Sequence, residues 1–136
     1  MGTTSIRIDV PRIGDPEGGY IGGIFLDRGN GRDLSKYDAM TFWAKGTMTA
    51  NIDLFGFGID FEEDKYSVSL EDSRLSTNWK KYTIPIPDAS KLVQEKGMFS
   101  FSACGCSVLG AGFVMWIDEI RFENLGISAQ PLVSIF

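Results

Sequence analysis

The sequence predicts an all-β protein, a two-sheet antiparallel β-sandwich, and three observations carry that reading. Apolar residues alternate with polar ones at period two through eight separate runs. The 16 glycines lie between those short runs, where turns belong, and follow no three-residue period. A length of 136 residues suits one domain with a real core and is short for two.

The first run, Ser5 to Val10, alternates Ile6, Ile8 and Val10 against Arg7 and Asp9. Tyr20 to Leu26 is an apolar run interrupted by glycines. Ala39 to Lys45 sets Met40, Phe42 and Ala44 against Thr41, Trp43 and Lys45. Asn51 to Phe57 places Ile52 and Leu54 opposite Asn51, Asp53, Phe55 and Phe57. Tyr66 to Leu70 alternates with serines, Lys81 to Ile86 gives Tyr82, Ile84 and Ile86, and Met98 to Cys104 gives Phe99, Phe101 and Ala103. The last run, Phe113 to Phe122, changes phase between Ile117 and Ile120, which predicts a bulge at Asp118-Glu119. Pro85 favours an edge strand or a strand end. Only Asp88 to Glu95 reads as helical, for about two turns. The sandwich is expected over residues 1–124, with 125–136 as a C-terminal tail, either an extra strand or the start of a linker.

Composition removes several functions. A formal net charge of -5 would repel the phosphates of a nucleic acid and fits a neutral ligand or a bound cation better. No apolar run approaches the ~20 residues of a membrane-spanning helix. The absence of histidine excludes serine–histidine and cysteine–histidine nucleophile pairs and histidine-ligated metals. Cys104 and Cys106, two residues apart on one strand, would form a strained disulfide, so plain thiols are expected. Met1-Gly2-Thr3 shows neither the basic stretch nor the apolar segment of a signal peptide.

Three segments carry a family resemblance: DLSKYDAMTFWAKG (Asp33 to Gly46), STNWKKYTIPI (Ser76 to Ile86) and FVMWIDEIRFE (Phe113 to Glu123). In series they resemble the bacterial jelly-roll carbohydrate-binding modules of the family 11 type and its relatives, galactose-binding-domain-like sandwiches. The resemblance covers about the last two-thirds of the chain and leaves the sugar open. It implies a non-catalytic polysaccharide-binding module, secreted, attached to a glycoside hydrolase, with β-glucan as the guessed ligand. It also implies a further first strand, here missing or replaced; the apolar tail Pro131 to Phe136, from its own chain or a neighbour's, would fill that place. An exposed edge or the tail would then favour a homo-oligomer.

In such a jelly roll the second, fourth, fifth and seventh runs form one sheet, and the first, third, sixth and eighth the other. The outer, concave surface of the former would bind glycan. Strict alternation then puts Asn51, Asp53, Phe55 and Phe57 on that surface, with Ser67, Ser69 and Glu71 beside them. Ser100, Ser102 and Cys104 follow on the next strand, and Tyr20 lies near. Aromatic rings stack on the C–H faces of pyranoses, and carboxylates such as Asp53 and Glu71 accept from sugar hydroxyls. Phe55 and Phe57 equally suit packing beneath the Asp60 to Lys65 loop. Trp43 and Trp116 read as structural cover of the other sheet and Trp79 as a core plug. The resemblance further implies a structural calcium with Asp118 as a ligand; the cluster Asp60, Glu62, Glu63 and Asp64 would add oxygens or form a solvated acidic loop.

Two rival functions remain. Asp53 with Glu71 would be the carboxylate pair of a glycan-active enzyme, and the same fold also serves protein interaction and assembly.

Overall fold

The computed structural model describes residues 5–14, 18–58, 67–108 and 110–126, without the side chains of Cys106 and Ser107. Among the described residues eight strands form: β1 (Ile6–Val10), β2 (Tyr20–Leu26), β3 (Ala39–Gly46), β4 (Ala50–Gly58), β5 (Ser67–Leu75), β6 (Lys80–Pro85), β7 (Gly97–Cys104) and β8 (Phe113–Glu123). They make two four-stranded antiparallel sheets, ordered β1-β8-β3-β6 and β2-β7-β4-β5. The expected division of strands between sheets holds. β6 is an edge strand and ends at Pro85, where the missing N–H breaks no ladder. The expected helix at Asp88 to Glu95 is a single 3-10 turn, Ala89–Lys91, with the Asp88 carboxylate accepting from the Ser90 N–H. Such a short segment cannot repay helix nucleation beyond one turn.

The core is aromatic. Phe42 of β3 meets Phe55 of β4 at 4.9 Å and Phe99 of β7 at 5.2 Å between ring centroids, so its ring joins the two sheets. Tyr82 of β6 stacks on Phe42 at 5.2 Å and donates its hydroxyl hydrogen bond to the Arg74 carbonyl of β5 at 2.5 Å. That bond ties the sheets together along the β5–β6 side. Burial holds the Tyr82 phenol above its ordinary value. Tyr82→Phe should cost about 1 kcal/mol in urea unfolding, because a half-buried carbonyl loses its donor; an unchanged midpoint would show water replacing it.

The bulge expected on β8 is present. Glu119 takes φ +52°, the Asp118 carboxylate accepts from the Glu119 N–H at 2.8 Å, and the β3–β8 register shifts between Thr41 and Trp43. It turns Ile120 and Phe122 back toward the interior side of the strand.

A second break of phase was not expected. β4 buries Ala50 and Ile52, then Phe55 and Phe57, so its inward residues change from even to odd numbers. β5 does the same, burying Val68 near one end and Leu75 at the other. The pairing register is unchanged across the break, from Ile52↔Ser73 to Leu54↔Glu71. The switch falls on the opposed residues Asp53 and Asp72, and Asp72 adopts φ +54°. Aspartate tolerates that left-handed conformation better than most residues. Both strands thus carry an irregularity at the same level, and each turns over relative to its own beginning.

Asp27 closes the loop after β2. Its carboxylate accepts from Arg32 Nε at 3.0 Å and from the N–H groups of Gly29 and Gly31 at 3.0 and 3.3 Å. The Arg32 hydrogen bond, helped by those two amides, holds its pKa below the usual carboxylate value. The folded pKa is the lower one, so the loop's stabilisation is complete above the ordinary value and is lost as pH falls through the depressed one. Amide exchange at Gly29 and Gly31 should therefore accelerate on acidification below about pH 4 relative to the β3 amides. Uniform acceleration would point to global unfolding instead.

Candidate functional site

The outer face of the second sheet follows from the register. Gly22, Ser102, Leu54 and Glu71 form one row across β2, β7, β4 and β5, and Ile24, Ser100, Gly56 and Ser69 form the next. Between these rows runs a groove of about 530 Å³ whose lining includes Ile24, Leu54, Ser67, Ser69, Glu71 and Ser100. Glycine occupies position 56 in the second of these rows. A Cβ there would lie 2.4 Å from the Val68 carbonyl oxygen, so the β5 backbone approaches closely.

The expected site residues divide. Glu71, Ser67, Ser69 and Ser100 line the groove, the buried Phe57 also borders it, and Ser102 stands in the adjoining row. Asn51 and Asp53 are exposed at the other end of β4, before the phase break, and Asn51 accepts from Arg74 Nη1 at 3.4 Å. Tyr20 is 58% exposed at the edge of the face, opposite Cys104, outside the groove lining.

Phe55 and Phe57 are corrections. They are 0% and 1% exposed, Phe55 against Phe42 and Phe57 edge-on to Phe122 at 5.1 Å. Their expected outward orientation assumed unbroken alternation from Asn51, and the turnover at Asp53 sends them inward. The outward positions beside them belong to Leu54 and Gly56. The face therefore offers hydroxyls, a carboxylate and two aliphatic side chains where stacked phenylalanines were expected. Ile24 and Leu54, which sequence reasoning passed over, supply its apolar surface.

Two further readings change. Trp79 is half-buried, and Lys45 Nζ sits 5.1 Å from its ring and 5.4 Å from that of Trp116. A cation held between two indoles places Trp79 beside the outer face of the first sheet. It is not a core plug. Cys104 is disulfide-bonded, where a thiol was expected. The strain argument assumed an extended backbone through both cysteines, but β7 ends at Cys104 and a 3-10 turn starts at Gly105. Cys106 is the chain's other cysteine.

Asp118 lies on β8 opposite Trp43, its carboxylate engaged by the Glu119 N–H. Among the described residues no three histidine, cysteine, aspartate or glutamate side chains converge. The cluster Asp60, Glu62, Glu63 and Asp64 lies outside the described residues.

No family model matches the chain, and no curated protein matches it. Solved structures do. The family 30 carbohydrate-binding module of a Clostridium thermocellum cellulosomal cellulase superposes with a TM-score of 0.62 at 18% identity, over 90% of this chain and 76% of that one. The family 11 module from the same organism, in complex with a β-1,3-1,4-mixed-linked tetrasaccharide, gives 0.59 at 17% identity, over 90% and 78%. At these identities the likeness shows the fold: this chain is a jelly-roll sandwich like those of the family 30 and family 11 carbohydrate-binding modules.

Proposed function

We propose that the chain is a non-catalytic binding module that holds one strand of a neutral polysaccharide in the groove of the second sheet. The observation that carries this is the lining itself. Serine hydroxyls from β5 and β7 and the Glu71 carboxylate surround the aliphatic surfaces of Ile24 and Leu54, and no lysine or arginine is among the described lining residues. A pyranose chain presents C–H patches for the aliphatic groups and hydroxyls that donate to the carboxylate and exchange hydrogen bonds with serines. A polyuronate would meet that carboxylate, with no cation among the described lining residues to offset it. Among neutral polymers, β-glucan is the candidate, supported by the fold shared with modules of cellulases and with one solved on a mixed-linked glucan fragment.

The groove shape favours a soluble single chain over a crystalline surface, because a flat lattice needs coplanar rings to lie on and, among the described residues of this face, Tyr20 at the edge is the one exposed ring. The module's contribution would be proximity: tethered to a glycoside hydrolase, it raises the local concentration of substrate without a chemical step. The Cys104 disulfide supports a secreted location, since such bonds persist in oxidising compartments.

Affinity electrophoresis against mixed-linked β-glucan, xyloglucan, xylan, mannan and alginate tests the reading. Retardation by a neutral polymer, with none by alginate and no release of reducing ends, is the expected result. Migration unaffected by every polymer would refute it, and released reducing ends would favour the carboxylate-pair enzyme.

A further inference from the structure

Each sheet has two edges, β1 and β6 in the first and β2 and β5 in the second. Three of them carry the features that keep an edge from pairing with another chain. β1 bears Arg7 and Asp9, and β6 bears Lys80 and Lys81 and ends at Pro85. β5 bears Glu71, Asp72 and Arg74, with its left-handed break at Asp72. β2, YIGGIFL, has no charge and no proline, and the bulge beside it puts the extra residue, Met98, on β7. Tyr20 and Leu26 at its two ends are 58% and 52% exposed, and Phe25 is 39% exposed.

The backbone groups that β2 offers follow from its pairing with β7. The Gly105 N–H donates to the Gly19 carbonyl and the Asp27 N–H to the Lys96 carbonyl, both at 2.8 Å. Bonded residues alternate along an antiparallel ladder, so the odd-numbered residues of β2 bond to β7. The N–H and C=O groups of Tyr20, Gly22, Ile24 and Leu26 point the other way, where no strand lies among the described residues.

We propose that two copies of the chain pair antiparallel through β2 about a twofold axis at Gly23, and that this joins their grooves end to end. The strand is self-complementary in that register. Gly22 stands opposite the second copy's Ile24 and Tyr20 opposite its Leu26, so the outward-bonding residues of the two copies meet in about eight hydrogen bonds. The two exposed ends of the strand cover each other, and Phe25 gains the second copy's Ile21. No charge of one β2 meets a charge of the other, although each chain has a net charge of -5. A strand of another sequence would have to reproduce this match, whereas a second copy has it by symmetry.

The joined groove, unlike the dimer, rests on the glycan reading. The groove reaches β2 at Gly23 and Ile24, between the rows of Gly22 and Ile24. With the axis at Gly23 each of these rows runs on into the other row of the second copy, and the two grooves share one line. Gly22 has no side chain to close the junction. The Tyr20 ring leans toward it, with Cε1 3.7 Å from where a Cβ would stand. Each Tyr20 therefore lies beside the wall made by the second copy's Ile24 and adds an exposed ring to the joined groove.

Sedimentation velocity on the wild type, Leu26→Pro and Leu26→Lys tests the dimer. One strand pair buries less than the ~1,200 Å² of a standard interface, so a dissociation constant of about 100 µM is expected. In a sample of mixed labels, nuclear Overhauser contacts should join the Tyr20 ring of one copy to the Leu26 methyls of the other. Leu26→Pro removes an N–H that the β2–β7 ladder does not use, and Leu26→Lys puts a charge on the edge. Both should remain monomeric where the wild type is dimeric, and Leu26→Lys decides should the proline variant fail to fold. A wild type that stays monomeric at about ten times that constant, or dimers untouched by either substitution, would overturn the proposal. So would protection of the Tyr20, Gly22, Ile24 and Leu26 amides that does not change with concentration, which would give the edge to the chain's own residues. Above the dissociation constant, mixed-linked β-glucan should retard the wild type about fivefold more than Leu26→Lys, whereas a tetrasaccharide of that glucan should bind both alike. Equal retardation of a dimeric wild type and a monomeric variant would overturn the joined groove. Retardation of neither by any polymer would refute the glycan reading, and the joined groove with it, while the dimer stands on the sedimentation result.

Discussion

Phe55→Ala should lower the unfolding free energy by about 3–5 kcal/mol, moving the urea midpoint by roughly 1–3 M. The ring is completely buried, 4.9 Å from Phe42, 5.7 Å from Tyr82 and 6.1 Å from Phe99. Its removal leaves a cavity where three aromatic neighbours from both sheets converge, and backbone held in two ladders cannot collapse to fill it. The whole stability of a domain this size is only about 5–15 kcal/mol, so the variant sits near the limit of folding. Phe57→Ala, which removes the edge-on partner of Phe122, should behave similarly. A Phe55→Ala protein with the wild-type midpoint but no glycan affinity would mean that the ring faces solvent and that the phase break at Asp53 is wrong.

Glu71→Ala and Ser100→Leu should do the reverse, removing glycan retention while leaving the unfolding free energy within about 0.5 kcal/mol of the wild type. Glu71 is an exposed residue whose carboxylate faces the groove, and hydrogen bonds to a charged acceptor contribute about 1.5–3 kcal/mol, a loss of roughly ten- to a hundredfold in affinity. Ser100→Leu deletes a hydroxyl at the middle of the groove and fills the space with an aliphatic group that a sugar hydroxyl cannot bond. Tyr20→Ala, at the edge of the face, should weaken retention by only a few-fold. Isothermal titration on the retarding polymer, with urea unfolding beside it, separates these outcomes. Retention by both groove variants at wild-type affinity would move the binding site off this face.

The contrast between those two sets of variants shows where alternation could be trusted. For β3 and β7 the expected inward residues Met40, Phe42, Ala44, Phe99, Phe101 and Ala103 are all buried, although Ala39 and Thr41 of β3 are buried as well. On β8 the step from Ile117 to Ile120 is visible as three positions between isoleucines, so its bulge could be located. On β4 the same kind of signal was available and was missed. Apolar residues fall at Ile52, Leu54, Phe55 and Phe57, and the adjacent pair Leu54-Phe55 cannot both point inward. Val68 and Leu70 against Leu75 show the matching parity change on β5. Large rings win the interior over leucine because they bury more surface, and that preference would have selected Phe55 and Phe57 as core. Other features lay beyond local pattern. That Lys45 sits between Trp79 and Trp116 depends on the loop before β6, and the closeness of the β5 backbone at Gly56 depends on the sheet's twist; neither leaves a mark at the spacing of two.

The clamp on Lys45 has an optical consequence. All three tryptophans belong to the first sheet, with Trp43 and Trp116 on its strands and Trp79 held against it through Lys45, and none lines the groove. Emission excited at 295 nm therefore originates across the sandwich from the bound sugar, and a glycan titration should leave its intensity and wavelength flat. The same silence makes that emission a clean reporter of unfolding in the presence of saturating ligand.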